Sequence, residues 1–166
     1  MGRPFVNQQY TSGDAAVATN PTAFNAKSSA ATFTFSGNTL FSNQLTNVSG
    51  YRGSFNTGDY DTSTGIFTAP EDGIYYFDAT IMWATGNFTA QYVLLTIKTP
   101  TTTLEDALLT SRFGANEAFN ANFTQRTSGV VSLTSGTQIG VYVYASSATN
   151  AAIQPKLSYF CGHKVN

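Results

Sequence analysis

Between residues 74 and 83 the chain reads IYYFDATIMW, and bulky side chains fall on every second position. Tyr75, Phe77, Ala79, Ile81 and Trp83 form one set; Ile74, Tyr76, Asp78, Thr80 and Met82 form the other. A period of two is that of a β-strand, whose successive side chains point to opposite faces. The first set is the stronger core face. The second keeps Ile74, Tyr76 and Met82 where a water-facing strand would be polar, so a second buried contact is expected for this strand. Residues 139–145 alternate too. Ile139, Val141, Val143 and Ala145 share one face, and Gly140, Tyr142 and Tyr144 the other. Further short runs at 32–35, 39–45, 51–55, 65–68, 92–97, 107–113, 130–133 and 157–165 are separated by turn residues. Short strands at regular intervals predict an all-β sandwich or barrel.

The most specific local pattern is DYDTSTGIFTAPEDGIYYF at 59–77. Thr64-Gly65 marks a turn, Ala69-Pro70 stops the short run 66–67, and Gly73 opens the long strand. Tyr60, Asp61, Thr64, Gly65, Phe67, Pro70, Gly73, Tyr75 and Phe77 stand at the spacing YD-x-x-TG-x-F-x-x-P-x-x-G-x-Y-x-F. This resembles the signature of the C1q globular-head family, which shares its fold with the tumour necrosis factor superfamily. Ala23-Phe24-Asn25-Ala26 looks like the opening strand of these heads, and Ser158-Tyr159-Phe160-Cys161-Gly162 like the closing one. Residues 129–143 resemble the pair of strands between. Thr137 departs from the usual acid after Gly136, Lys164 stands where leucine is common, and no collagen-like repeat precedes the head. The resemblance spans residues 23–166 and implies a ten-stranded jelly-roll sandwich that assembles as a homotrimer.

Composition agrees with one β domain. The 166 residues are 10% charged and 14% aromatic, with a net charge of -1. Without a basic stripe, a surface that tracks nucleic-acid phosphates is not expected. No apolar run approaches the roughly 18–20 residues of a spanning helix. Residues 1–22 are polar and small and read as an arm or linker, with Phe5, Val6 and Tyr10 as its candidate anchors. The first residues show no apolar segment of signal-peptide length, and Val6 breaks the myristoylation pattern, so synthesis in a cytosol is expected. The single cysteine, Cys161, forms no intrachain disulfide. Sequons at Asn47, Asn87 and Asn122 are as frequent as this Asn/Ser/Thr content produces by chance.

Chemistry is sparse. Cys161 and His163 share one face of the last strand, but no orienting group is evident for a dyad. A zinc site built from them on three chains is geometrically conceivable. Asp59, Asp61, Glu71 and Asp72 lack the spacing of a calcium loop, and turn and capping roles suit them better. No enzyme activity and no cofactor are expected.

The resemblance places the 74–83 strand in the sheet that packs around a threefold axis. Ile74, Tyr76, Asp78, Met82 and Tyr159 are the expected interface residues. An unpaired carboxylate there would be costly. Asp78 is therefore expected to meet Arg52, Lys98, a neighbouring subunit's tyrosine or water. Tyr142 and Tyr144 would lie on the outer sheet, exposed, as a ligand or partner surface. Synthesis without a signal, a polar arm, low charge and a surface rich in Thr, Ser, Asn and Ala together resemble bacteriophage virion proteins, and a trimer of this fold would suit threefold positions of a shell. The expected role is a capsid decoration protein on the virion surface, made in the host cytoplasm, with the major capsid protein or another virion protein as partner. The alternative is a receptor- or glycan-recognition head of a tail fibre or bacterial surface filament, extracellular or at a cell surface.

Overall fold

The computed structural model describes residues 22–29, 31–46, 55–84, 86–87, 92–114, 118–119 and 122–165. The arm residues Phe5, Val6 and Tyr10, and Arg52, lie outside the described residues.

The strands are β1 Ala23–Lys27, β2 Thr32–Leu40, β3 Phe55–Asn56, β4 Tyr60–Asp61, β5 Ile66–Thr68, β6 Gly73–Trp83 and β7 Gly86–Asn87. They continue as β8 Tyr92–Lys98, β9 Leu109–Gly114, β10 Ala118–Phe119, β11 Phe123–Leu133, β12 Gln138–Ala152 and β13 Tyr159–Lys164. The first sheet has the order β11-β6-β13-β1-β3; the second has β4-β5-β12-β8-β9, with β2 also paired to β12. The ladders of both sheets are antiparallel. Closing strand β13 lies between β6 and β1, and Ala23 at the start of β1 faces His163. This is an all-β jelly-roll sandwich.

Three expectations change in detail. The run 39–45 is strand only to Leu40; Ser42–Gln44 then turns as a short 3-10 helix. The strand expected at 130–133 begins at Phe123, and the one expected at 139–145 continues to Ala152. The bulge that interrupts its pairing with β2 falls between Ala145 and Thr149. There the apolar alternation stops, and a polar Ser-Ser-Ala-Thr-Asn stretch continues as strand because β2 supplies its partner.

The core follows the alternation. Tyr75, Phe77, Ala79, Ile81 and Trp83 are all buried, as are Ile139, Val141, Val143 and Ala145 from the facing sheet. Phe24 stacks on Tyr60 with ring centroids 4.8 Å apart and meets Phe160 edge-on at 4.8 Å. Phe67 meets Phe77 edge-on at 5.3 Å. Each large ring buried here stabilises by roughly 1.5–3 kcal/mol.

The 59–77 motif is a fold determinant residue by residue. The Tyr60 hydroxyl donates to the carbonyls of Ser42 and Leu45 at 2.9 and 3.1 Å, strapping the 3-10 turn to the core. Burial, helped by the Asp61 charge, pushes this phenol well above its ordinary range. Asp61 Oδ1 accepts the Ser63 N–H and hydroxyl at 2.8 and 2.7 Å, an Asx-type turn. Gly65 has φ +73°, and a methyl there would overlap the backbone of Ser42 and Asn43. The Tyr75 hydroxyl donates to the Glu71 carbonyl at 2.8 Å. The stem of Lys164 crosses Gly73, and its ammonium reaches Glu71 at 2.7 Å.

Candidate functional site

The outward face of the first sheet carries the residues expected at an interface. β6 presents Ile74, Tyr76, Asp78, Thr80 and Met82, β13 presents Tyr159, Cys161 and His163, and β11 presents Arg126, Ser128 and Val130. Ile74 is 40% exposed and Val130 59%; Tyr76, Met82 and Tyr159 are half-buried. Val130 pairs directly with Tyr76, and the His163 ring lies 5.4 Å from the Tyr76 ring. One end of this face is thus an apolar patch.

Asp78, at its centre, is 5% exposed. Arg126 answers it in a fork: Nε donates to Oδ1 at 2.8 Å and Nη2 to Oδ2 at 2.6 Å. The Tyr159 hydroxyl adds a donor to Oδ2 at 3.3 Å. The partners within the chain are therefore Arg126 and Tyr159, not Lys98. Lys98 is in the other sheet. A bidentate charge-assisted pair is the strong form of such contacts, and the Arg126 guanidinium is held above its usual range by the Asp78 hydrogen bonds and charge. Sequence reasoning misses Arg126. It sits in a polar run, Thr124-Gln125-Arg126-Thr127-Ser128, with no apolar alternation to mark a strand. The usable signal is that a carboxylate on an apolar strand face needs a cation, and only three arginines, at positions 52, 112 and 126, follow residue 50.

Cys161 lies between Asp78 and Asn25 in the same row of the sheet. Burial, then the Asp78 charge, pushes its thiol up to about 11. A nucleophilic cysteine needs the reverse. Among the described residues there is no group of three or more His, Cys, Asp or Glu placed to hold a metal. The acidic residues 59–72 serve the turns: Asp59 Oδ2 accepts from Thr57 at 3.3 Å, Asp72 Oδ1 from the Ser135 N–H at 2.8 Å, and Glu71 pairs with Lys164.

The outward face of the second sheet corrects the two tyrosines. Tyr142 is only 8% exposed. The ammonium of Lys98, itself fully buried, lies 4.1 Å from the Tyr142 ring centroid and donates to the carbonyls of Thr99 and Thr102 at 3.0 and 2.7 Å. Desolvation lowers the Lys98 pKa. Tyr144 is half-buried and stacks on Tyr92 at 5.8 Å, while the Arg112 guanidinium covers Tyr92 at 4.5 Å. The expected pair of exposed tyrosines is instead an aromatic row capped at both ends by cations. Beside Tyr142 lies an open hollow of about 430 Å³, whose lining includes Asp61 and Thr64, the two exposed members of the 60–65 signature.

The sandwich, its closing strand inserted beside the opening one, and a signature used as turn and core contacts define a C1q/TNF-type jelly roll. The C1q domain family model matches residues 23–165, and the chain belongs to that family. Domains of this family are generally non-enzymatic heads that assemble as homotrimers. The fold is similar to that of the Eiger TNF of S. frugiperda, with a TM-score of 0.59 and 13% identity over 88% of this chain and 94% of that one. No curated protein matches it in sequence.

Proposed function

We propose that this chain is a non-enzymatic homotrimeric structural head, set on a virion surface as a capsid decoration protein, with the capsid as its partner. The observation that carries assembly is the outward face of the first sheet. Ile74 and Val130 stand exposed beside half-buried Tyr76 at one end, half-buried Met82 lies at the other, and the one carboxylate between them is already neutralised by Arg126. A face whose charge is settled within its own chain can be covered without stranding an ion. Covering by further copies of the chain about a closed axis is an ordinary course for such a patch.

The setting rests on composition and symmetry. A weakly charged chain rich in Thr, Ser and Asn, with a polar first segment, suits a protein that docks onto a particle, and a trimer matches threefold positions of a shell. Sedimentation of the purified chain tests the trimer, and particle binding by chains with and without residues 1–22 tests the docking. A monomer at micromolar concentration overturns the first. Undiminished particle binding without residues 1–22 overturns the arm as anchor. A recognition head of a tail fibre or bacterial surface filament is the second reading, favoured by the hollow beside Tyr142.

A further inference from the structure

The hollow on the second sheet has a built floor. Gly140 lies beneath three of its lining side chains: a methyl there would meet Ile66 Cδ1 and Leu40 Cδ1 at 3.0 Å and the Tyr142 ring at 3.1 Å. The missing side chain lets those three apolar groups close over the strand. Leu40 and Tyr142 are paired across β2 and β12, and Gln138 and Thr68 are paired across β12 and β5. The hollow is therefore set on three strands, β2, β12 and β5, of one sheet, with Asp61 brought to its rim by the Asx turn. Lys98 holds the Tyr142 ring but is fully buried, so its ammonium cannot contact a ligand in the hollow.

We propose that this hollow is a binding site for a neutral saccharide ring. A pyranose has an apolar C–H face and a rim of hydroxyls. The floor of Leu40, Ile66 and the Tyr142 edge receives the face. Asp61, Thr68 and Gln138 supply an acceptor-only group, a hydroxyl and an amide for the rim, a mixed set that hydroxyls satisfy in both directions. A volume of about 430 Å³ falls in the range of roughly 300–1,000 Å³ common to small-ligand sites. The alternatives fit worse. Among the described residues, Asp61 is the one formal charge lining the hollow, so phosphate and sulfated or sialylated sugars find no cation there to pair with. One carboxylate is too few for a calcium ion. A wholly apolar ligand would leave Asp61, Thr68 and Gln138 desolvated and unpaired. The site lies on the sheet opposite the proposed assembly face, so it stands whether the head decorates a shell or tips a fibre.

Saturation-transfer NMR of the full chain decides it, with the methyl glycosides of glucose, galactose and N-acetylglucosamine as neutral probes and galactose 6-sulfate as the anionic one. At least one neutral glycoside is expected to bind with Kd on the order of 1 mM. Asp61→Asn keeps the acceptor for Ser63 but removes the carboxylate, and is expected to weaken binding at least tenfold. Gln138→Ala, at an exposed position, is expected to do the same with an unchanged Tm. Tyr142→Phe retains the ring and is expected to retain binding. The proposal is overturned if no neutral glycoside binds at about 10 mM, if binding survives both Asp61→Asn and Gln138→Ala, or if the sulfated sugar binds better than every neutral one. A monomeric chain that binds the glycoside would refute the trimer and leave this site standing.

Discussion

Arg126 and Asp78 are not directly opposite each other. Asp78 faces Ser128 across the ladder and Arg126 faces Thr80, so the guanidinium reaches diagonally by one residue pair to make its fork at 2.6 and 2.8 Å. The diagonal leaves Asp78 covered, its side chain 7% exposed, while the Arg126 side chain remains 54% exposed. The asymmetry sets the consequence of cutting the pair. Arg126→Met strands a buried carboxylate and is expected to cost about 2 kcal/mol, at the level of an unsatisfied buried group. The double variant Asp78→Leu, Arg126→Met removes both charges and is expected to recover most of that loss. Urea unfolding of the three proteins checks it; a double variant less stable than Arg126→Met contradicts the account.

The apolar end of the same face makes the second prediction. A stable obligate interface there would bury on the order of 2,000 Å² or more in total. Val130→Asp, at a 59% exposed position, is expected to leave a folded monomer where the parent chain sediments as a trimer. Unchanged sedimentation of that variant would remove Val130 from the interface.

Two glycines with positive φ are expected to behave differently. Gly65 (φ +73°) faces the backbone of Ser42 and Asn43, whereas at Gly136 (φ +81°) an added methyl would have nothing within 4 Å. Gly136→Ala carries only the conformational cost, about 1 kcal/mol. Gly65→Ala adds a clash that backbone cannot relieve and is expected to exceed about 3 kcal/mol. Thermal unfolding distinguishes them, and equal losses would mean that the 3-10 turn yields.

Burial holds the Cys161 thiol at about 11, against an ordinary value of 9.0. At pH 8 its thiolate population is therefore roughly a hundredfold below that of a free thiol. Ellman's reagent is expected to label it slowly in the folded chain and fast in urea. The folded rate should climb as pH rises toward 11. Asp78→Asn removes the second cause of the shift and is expected to speed labelling. Rapid labelling of the folded parent chain at pH 8 would show the sulfur to be open and ionised.

The fold is legible in the sequence because its determinants are local. The 74–83 alternation assigns all ten side chains to faces, and the 59–77 spacing carries the turn, the strap and the core rings together. What is not legible depends on partners far along the chain. β11 enters the sandwich through a buried glutamine: Gln125 accepts from Trp83 Nε1 at 3.2 Å and donates to the Ser111 carbonyl at 3.0 Å. No periodicity rule recognises a core position filled by an amide. Tyr142 is covered by Lys98, a residue type that composition places in water, and only the loop carbonyls of Thr99 and Thr102 make that burial tolerable. The hollow exists because residues 40, 61–68 and 138–142 converge, a relation no local window contains.

The position of β13 has a bearing on how the domain is made. It is the middle strand of the first sheet, between β6 and β1, yet it is the last of these strands to leave the ribosome. Until it arrives, β1 has no ladder joining it to β6, and the outward face of that sheet has a gap through its centre. Partly synthesised domains thus cannot display the complete face. Pairing across so long a separation is slow, so the centre of this sheet closes only after the whole domain has been made.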